Sequence, residues 1–184
     1  MNPKKIGKIA LLLIAILLLA GCGKENETTT KNTQEKKTSE PSINNKTEVP
    51  ESQTEGMSKL TCTREADAGS DIDVNLDYEV YYQGEYIQIL HSTEQVVTDN
   101  QETLDEYENA YKGIYKNYEG LKYYDNTVKR TDNSVTSDTV INYGKIDIDK
   151  LLDIEGEEDN VIKNGKVKLD DWLEFTEKFG MKCE

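Results

Sequence analysis

The sequence predicts an α+β fold, with an antiparallel sheet of about five strands packed by a long central helix and a C-terminal helix. Three observations support this class. One segment alternates apolar and polar residues at period two, and a later one carries an apolar stripe at three- and four-residue steps. Helical and strand patterns are also segregated along the chain instead of alternating. The expected order is ββ(β)-α-ββ-α.

Residues 1–21 have the pattern of a secretory signal peptide. Three lysines precede an apolar run at residues 9–19, which is too short for a comfortable membrane span. The sequence Leu-Ala-Gly-Cys at residues 19–22 looks like a bacterial lipobox, which implies a diacylglyceryl group on Cys22. We therefore expect a protein anchored by lipid at the extracytoplasmic face of the cell membrane. The usage rich in Lys, Asn and Glu is typical of a Gram-positive source.

The segment from residue 22 to residue 57 is expected to be a disordered polar linker. It has no aromatic residue and few branched apolar ones, so it cannot bury enough apolar area to offset the entropy of ordering. Residues 58–184 contain every aromatic residue of the chain. We expect them to form one α+β domain.

The chain is strongly acidic, with a formal net charge of −14. Such a surface repels phosphate backbones, so we expect no nucleic-acid partner. It also repels anionic lipid, which leaves the lipid on Cys22 as the expected membrane contact. The remaining possible partners are cations, basic peptides or an envelope protein. The simplest role of the negative charge is to keep a surface protein soluble.

The first elements are predicted strands. Residues 59–63 form a short candidate, and residues 72–82 alternate apolar and polar side chains along one strand. Asp73, Asp77 and Glu79 lie on the polar face of that strand, where they could bind a cation or a small polar ligand. A turn at Gln83-Gly84 leads into a partner strand at residues 85–97.

The central helix is predicted to follow directly. Asp99 and Glu102 have the spacing of a capping box, and an apolar stripe then runs for about 20 residues to Gly120, a left-handed cap. Several further elements are expected downstream: strands at residues 121–131 and 135–147 around a turn at 132–134, a short helix at 149–154, a polar loop at 156–165, and a C-terminal helix at 169–179.

Two cysteines lie in the predicted domain, Cys62 near its start and Cys183 near its end. In a secreted chain this arrangement favours a disulfide that joins the termini of the domain. The alternatives are two reduced thiols or half of a metal site, although no Cys-x-x-Cys spacing is present.

Four stretches of the sequence are informative together with the order of elements: residues 82–85, 115–121, 140–147 and 172–182. In these features the chain resembles the YehR-like family of small bacterial lipoproteins. That resemblance implies a lipobox, a polar linker and one α+β domain, and it implies no established activity and no transferable ligand residue. It covers nearly all of residues 60–182.

Few residues indicate chemistry. His91 is the only histidine, is expected to be half exposed, and has no nucleophile motif beside it. Asp71, Asp73 and Asn75 begin like a calcium loop, but the required sixth-position glycine is Leu76. The acidic run at 153–159 is interpreted as a solvated loop. Trp172 is assigned to the core. Three tyrosines are candidates for exposed strand positions: Tyr81, Tyr123 and Tyr143.

No cofactor or metal site is predicted, and the missing catalytic constellation favours a protein that is not an enzyme. The leading hypothesis is an envelope lipoprotein that acts as an interaction or binding module. The first alternative is a lipoprotein that binds a cation or a small polar ligand. The second is a cell-wall hydrolase, which would need a deep cleft with at least two convergent carboxylates.

Overall fold

The computed structural model describes residues 48–65, 71–156 and 160–184 of the chain. Cys22, the predicted signal peptide and most of the predicted linker therefore lie outside the described residues. The described helices are α1 (Glu51–Thr54), α2 (Gln101–Tyr115), α3 (Ile148–Glu155) and α4 (Leu169–Glu177), with a 3-10 helix at Lys116–Tyr118 after α2. The strands are β1 (Ser58–Arg64), β2 (Asp73–Gln83), β3 (Tyr86–Val97), β4 (Tyr124–Arg130), β5 (Ser134–Asn142), β6 (Ile162–Lys163), β7 (Lys166–Lys168) and β8 (Lys182–Cys183).

The strands form one antiparallel sheet in the order β4-β5-β3-β2-β1-β8. The first residues of β3 pair with β7, which pairs in turn with β6. The mixed class of helices with an antiparallel sheet is thus confirmed. The sheet is larger than the five strands predicted, because the described residues contribute eight.

One face of the sheet carries the core, as the period-two pattern of β2 predicts. The inward residues Leu76, Tyr78 and Val80 are buried, while Asp77 and Glu79 between them are partly exposed. A first cluster joins this face to α3 and α4 through Leu151 and Trp172. A second cluster joins the sheet to α2, and it comprises Val96, Val135, Leu104, Tyr107 and Tyr111.

Helix α2 begins one residue later than predicted and is shorter. The side chain of Asn100, and not that of Asp99, accepts the hydrogen bond from the backbone N–H of Thr103 at 3.2 Å. The α-helix ends at Tyr115, where the chain tightens into the 3-10 turn. Gly120 has a φ of 82°, so its predicted left-handed conformation is present just after that turn.

The polar loop predicted at residues 156–165 contains part of a hairpin instead. Asn164 and Gly165 have φ values of 51° and 74°, which is the backbone of the two-residue turns that join β6 to β7. Strand β7 continues directly into α4, so this hairpin sets where α4 leaves the sheet.

The disulfide between Cys62 and Cys183 is present, and it links residues 121 positions apart. The two cysteines are direct cross-strand partners of β1 and β8, with Cα atoms 4.0 Å apart. Backbone hydrogen bonds of 2.9 Å in both directions between Thr61 and Glu184 extend the same pairing. The two ends of the domain are therefore joined covalently at one edge of the sheet.

Within the described ranges, no helix is long and apolar enough to cross a membrane.

Candidate functional site

The three acidic residues of the predicted ligand face lie on β2 at alternate positions, but they do not converge. Glu79 Oε1 accepts a hydrogen bond from Lys59 Nζ at 2.9 Å, and Glu79 Oε2 accepts one from the Tyr81 hydroxyl at 3.0 Å. Asp77 and Asp73 lie further along the strand, opposite Thr93 and Val97. Since Glu79 already has a cationic partner, this face presents less free negative charge than the sequence suggests.

His91 is buried, with 2% of its surface exposed, so the expectation of a half-exposed residue was wrong. The reason is its position between two acidic neighbours on adjacent strands. Its Nε2 atom lies 2.6 Å from Asp138 Oδ1, and its Nδ1 atom lies 3.5 Å from Glu79 Oε2. Thr93 also donates a hydrogen bond of 3.0 Å to Asp138.

The charge on this histidine is set by opposing effects. Burial alone lowers the pKa of His91, but the hydrogen bond with Asp138 and the nearby Glu79 carboxylate outweigh it and raise the pKa to about 9. The contact with His91 and the bonds from Lys59 and Tyr81 lower the pKa of Glu79. The imidazolium is thus a fixed cation between two carboxylates, which suits a structural ion pair better than a proton-transfer group.

A cavity of about 90 Å³ lies on the other face of the sheet, between the strands and the helices. Its floor is formed by β3 and β5, and its walls come from the end of α2, the 3-10 helix, β4, the end of α3 and α4. The described residues that line it are Leu90, Ser92, Tyr115, Tyr118, Tyr124, Thr139, Ile141, Tyr143, Glu155, Asn160, Val161, Trp172 and Phe175.

Helical spacing explains how tyrosines come to form one wall. Residues three and four apart share a helix face, so the stripe that buries Tyr107 and Tyr111 continues to Tyr115 and, through the 3-10 turn, to Tyr118. The ring of Tyr118 stacks on that of Tyr124 from β4, with centroids 4.2 Å apart and planes 12° apart. The two elements are therefore joined by aromatic packing at the cavity wall.

The opposite wall belongs to α4. Trp172 is 2% exposed and lies 6.2 Å from the ring of Tyr78, so its assignment to the core is confirmed. It also lines the cavity, together with Phe175 one turn later on the same helix face. Phe175 packs edge-on against Phe179 with centroids 5.0 Å apart, which holds its ring in place.

Glu155 is the one carboxyl group among the described lining residues. Its Oε1 atom accepts a hydrogen bond from the Tyr118 hydroxyl at 3.4 Å, and its Oε2 atom accepts one from Asn160 Nδ2 at 3.0 Å. Burial raises the pKa of Glu155, and these two bonds offset only part of that effect. The cavity therefore holds a partly desolvated acid beside neutral donors.

The tyrosine hydroxyls around it remain protonated at neutral pH. Burial raises the pKa of Tyr115 to about 12, and burial together with the nearby Glu155 raises the pKa of Tyr118 and Tyr143 further. The wall can thus donate and accept hydrogen bonds without carrying charge.

Most of this site was not predicted from the sequence. Tyr143 was expected on the exposed side of its strand, but it lies in the cavity wall, and Glu155 was assigned to a solvated acidic run. Tyr123 is exposed as expected, with 48% of its surface accessible. The tyrosine stripe was the available signal, because its three- and four-residue steps run on past the last turn of α2.

No metal centre is evident in the part of the chain that the structure describes, since no three His, Cys, Asp or Glu side chains there are grouped as ligands.

The fold and cavity define an antiparallel α+β domain with a partly open aromatic site between sheet and helices. A similar structure is the NMR structure of the E. coli YehR protein, with a TM-score of 0.50 and 13% identity over 70% of this chain and 92% of that chain. At this identity the likeness supports a YehR-like fold alone.

An NMR structure of a protein from Streptococcus pneumoniae TIGR4 aligns with a TM-score of 0.46 and 12% identity, over 88% of this chain and 100% of that chain. No protein-family model and no curated protein matches the chain.

Proposed function

We propose that this chain is a lipid-anchored, extracytoplasmic binding module without catalytic activity, and that it binds a small organic molecule in the aromatic cavity. The anchor part of the proposal is supported by the lipobox that ends at Cys22. Two acyl chains hold a protein at a membrane durably, whereas one binds reversibly. A Cys22→Ala variant should therefore move from the membrane fraction to the soluble fraction, and its retention in the membrane would contradict the anchor.

The observation that carries the binding proposal is the cavity of about 90 Å³. Protein interiors are close-packed, and a well-formed apolar cavity with a few convergent polar groups is the usual form of a small-molecule site. One water needs roughly 10–15 Å³ of such space, so there is room for several waters or one small organic group. Glu155 and Asn160 supply the polar groups that would orient a ligand.

The absence of catalysis is proposed from the same lining. A cell-wall hydrolase of the usual kind needs two carboxylates on either side of the scissile bond. Among the described lining residues there is a single one, Glu155, and no histidine or cysteine accompanies it. His91 lies on the other face of the sheet, held by Asp138.

The test uses Trp172, which is the only tryptophan of the chain and lines the cavity. The full chain in a non-ionic detergent would be titrated with a library of small organic compounds while its tryptophan fluorescence and its melting temperature are followed. Ligand binding to the native state raises the melting temperature by mass action. We expect at least one compound to change both signals.

A cavity-filling variant locates the effect. Ser92→Leu adds apolar volume at the cavity floor, whereas Thr127→Leu makes the same kind of change at an exposed position of β4. Binding should be lost in the first variant and kept in the second. If Ser92→Leu does not fold, Ser92→Val adds less volume at the same position. A library without any hit, or equal binding to the filled and unfilled cavities, would overturn the proposal.

A further inference from the structure

The charge of Glu155 has no cationic partner among the described residues. Its two hydrogen bonds come from Tyr118 and Asn160, which are both neutral groups. The described residues that line the cavity include no Lys, Arg or His. A carboxylate that is partly removed from water loses solvation energy, and these two neutral donors return only part of it.

The backbone adds to the same negative potential. Glu155 is the last residue of α3, and the carbonyl ends of a helix carry a partial negative charge that favours cations. The side chain of Asn160 donates a second hydrogen bond, of 3.3 Å, to the backbone carbonyl of Gly156, which leaves its amide group turned towards acceptors. The polar end of the cavity thus consists of hydrogen-bond acceptors, the Glu155 carboxylate and the Gly156 carbonyl, and of the uncharged side chains that donate to them.

The apolar walls also favour a cation. The face of an aromatic ring carries negative charge density, so tyrosine and tryptophan rings attract an ammonium group, and several such rings around one space form the cages that bind alkylated ammonium ions. Six rings line this cavity: Tyr115, Tyr118, Tyr124, Tyr143, Trp172 and Phe175.

We propose that the ligand of the cavity is a small organic ammonium ion, whose charge is paired with the Glu155 carboxylate and whose alkyl groups lie against the surrounding rings. This inference rests on the proposed function, namely that the cavity binds a small molecule. An inorganic cation fits less well, because Ca²⁺ and Mg²⁺ require several oxygen ligands and the described lining residues offer one carboxylate. An anion would be repelled by the same carboxylate.

The test compares two probes of nearly equal shape. Choline carries a quaternary nitrogen, and 3,3-dimethylbutan-1-ol has a carbon in its place. Both would be titrated into the full chain in a non-ionic detergent, with Trp172 fluorescence and calorimetry as readouts. We expect choline to bind ~10-fold or more tightly than the alcohol, as a charge-assisted contact in a partly buried site implies.

Two variants assign that preference to one residue. Glu155→Gln keeps an oxygen for a neighbouring donor and removes the charge, so it should weaken choline binding ~10-fold or more and leave alcohol binding within ~2-fold. Asp153→Asn removes the same charge from an exposed position of α3 and should leave both affinities unchanged. This control separates a local ion pair from the acidic surface as a whole.

The outcomes distinguish the inference from the function on which it rests. Equal binding of choline and the alcohol, or binding of neutral or anionic compounds alone, would overturn the ammonium ligand while the cavity remains a binding site. If neither probe nor any library compound binds, both proposals fail. If Glu155→Gln does not fold, the comparison of the two probes in the unsubstituted chain still decides.

Discussion

Glu94 is a buried acid in the core, and the fold opposes its ionisation. It is 3% exposed, accepts a hydrogen bond of 3.0 Å from Tyr78 and a longer one of 3.4 Å from Tyr111, and faces Ser137 across the strand pair. Burial raises the pKa of Glu94 to about 8, against the effect of both hydroxyls. At neutral pH it is therefore mainly a neutral acid.

This shift gives a pH dependence of stability. The unfolded carboxyl has its ordinary pKa near 4.5, so the native state binds a proton more tightly than the unfolded state does. The contribution of Glu94 is complete below pH 4.5 and is lost as the pH rises to about 8. Each unit of difference corresponds to about 1.4 kcal/mol.

Glu94→Gln should remove this dependence. The variant should have nearly the unfolding free energy of the parent chain at pH 4 and exceed it by about 2–4 kcal/mol at pH 9, because no ionised carboxylate then remains in the core. Denaturant unfolding at a series of pH values measures the difference. Glu102→Gln, at an exposed position of α2, serves as the matched control and should show no such trend. A parallel pH profile for Glu94→Gln and the parent would contradict the assignment.

For individual residues, the sequence predicted the side of the sheet on which a residue lies better than it predicted the residues that it contacts. Alternation along β2 placed Tyr78 and Val80 inward correctly, because the pattern is local. The burial of His91 was predicted wrongly, because it depends on how β3 pairs with β2 and β5. Its partner on β5, Asp138, is 47 residues away in the sequence. A period-two pattern shows which face of a strand is buried, but it does not show which residue of the neighbouring strand lies opposite a given position.

For helix α2, the sequence predicted a capped helix correctly but placed its cap one residue too early. Asp99 and Asn100 are both good capping residues, and only the structure shows that Asn100 accepts the bond from Thr103. The predicted helix end was too late because the apolar stripe continues through the 3-10 turn, where Tyr118 is still buried. A hydrophobic stripe indicates a packed face and does not fix the hydrogen-bonding pattern.

The cap can be tested directly. Asn100→Ala removes the acceptor for the Thr103 N–H, so it should lower the unfolding free energy by about 1 kcal/mol. Asp99→Ala, at the neighbouring exposed position, should cost much less. Both variants would be compared by chemical denaturation under the same conditions. A larger cost for Asp99→Ala would indicate that Asp99, as the sequence spacing suggested, is the true cap.

The hairpin of β6 and β7 was missed because its strands have two and three residues, which is too short for a readable alternation. Its signal was present in the Asn164-Gly165 pair between Ile162 and Val167, since this dipeptide suits a turn with two positive φ angles. The hairpin matters for the site, because it leads directly into α4, which carries Trp172.

For the whole molecule, the class of fold could be predicted from the segregation of strand and helix patterns. The cavity could not be predicted, because its floor and walls come from seven elements spread over residues 90–175. The terminal pairing of β1 with β8 was anticipated only through the cysteines, since a two-residue strand leaves no pattern of its own.

The disulfide should contribute to the stability of the entire domain. A bond between residues this far apart restricts the unfolded chain, and its removal from a small secreted domain typically costs about 2–5 kcal/mol. The double variant Cys62→Ala, Cys183→Ala should lose an amount in that range on denaturant unfolding. Reduction should bring the parent chain to the level of the variant and leave the variant unaffected. An unchanged midpoint in the double variant would contradict this role.

The same bond determines what a protease could release. Cys62 lies on the side of the domain nearer to the proposed anchor, and Cys183 is covalently joined to it. A single cut in any loop between these two cysteines opens the backbone but leaves both fragments linked to each other, and so to the membrane in a chain anchored as proposed. Under the proposed anchoring, release of the domain requires a cut before Cys62 or a reductant together with a cut between the two cysteines.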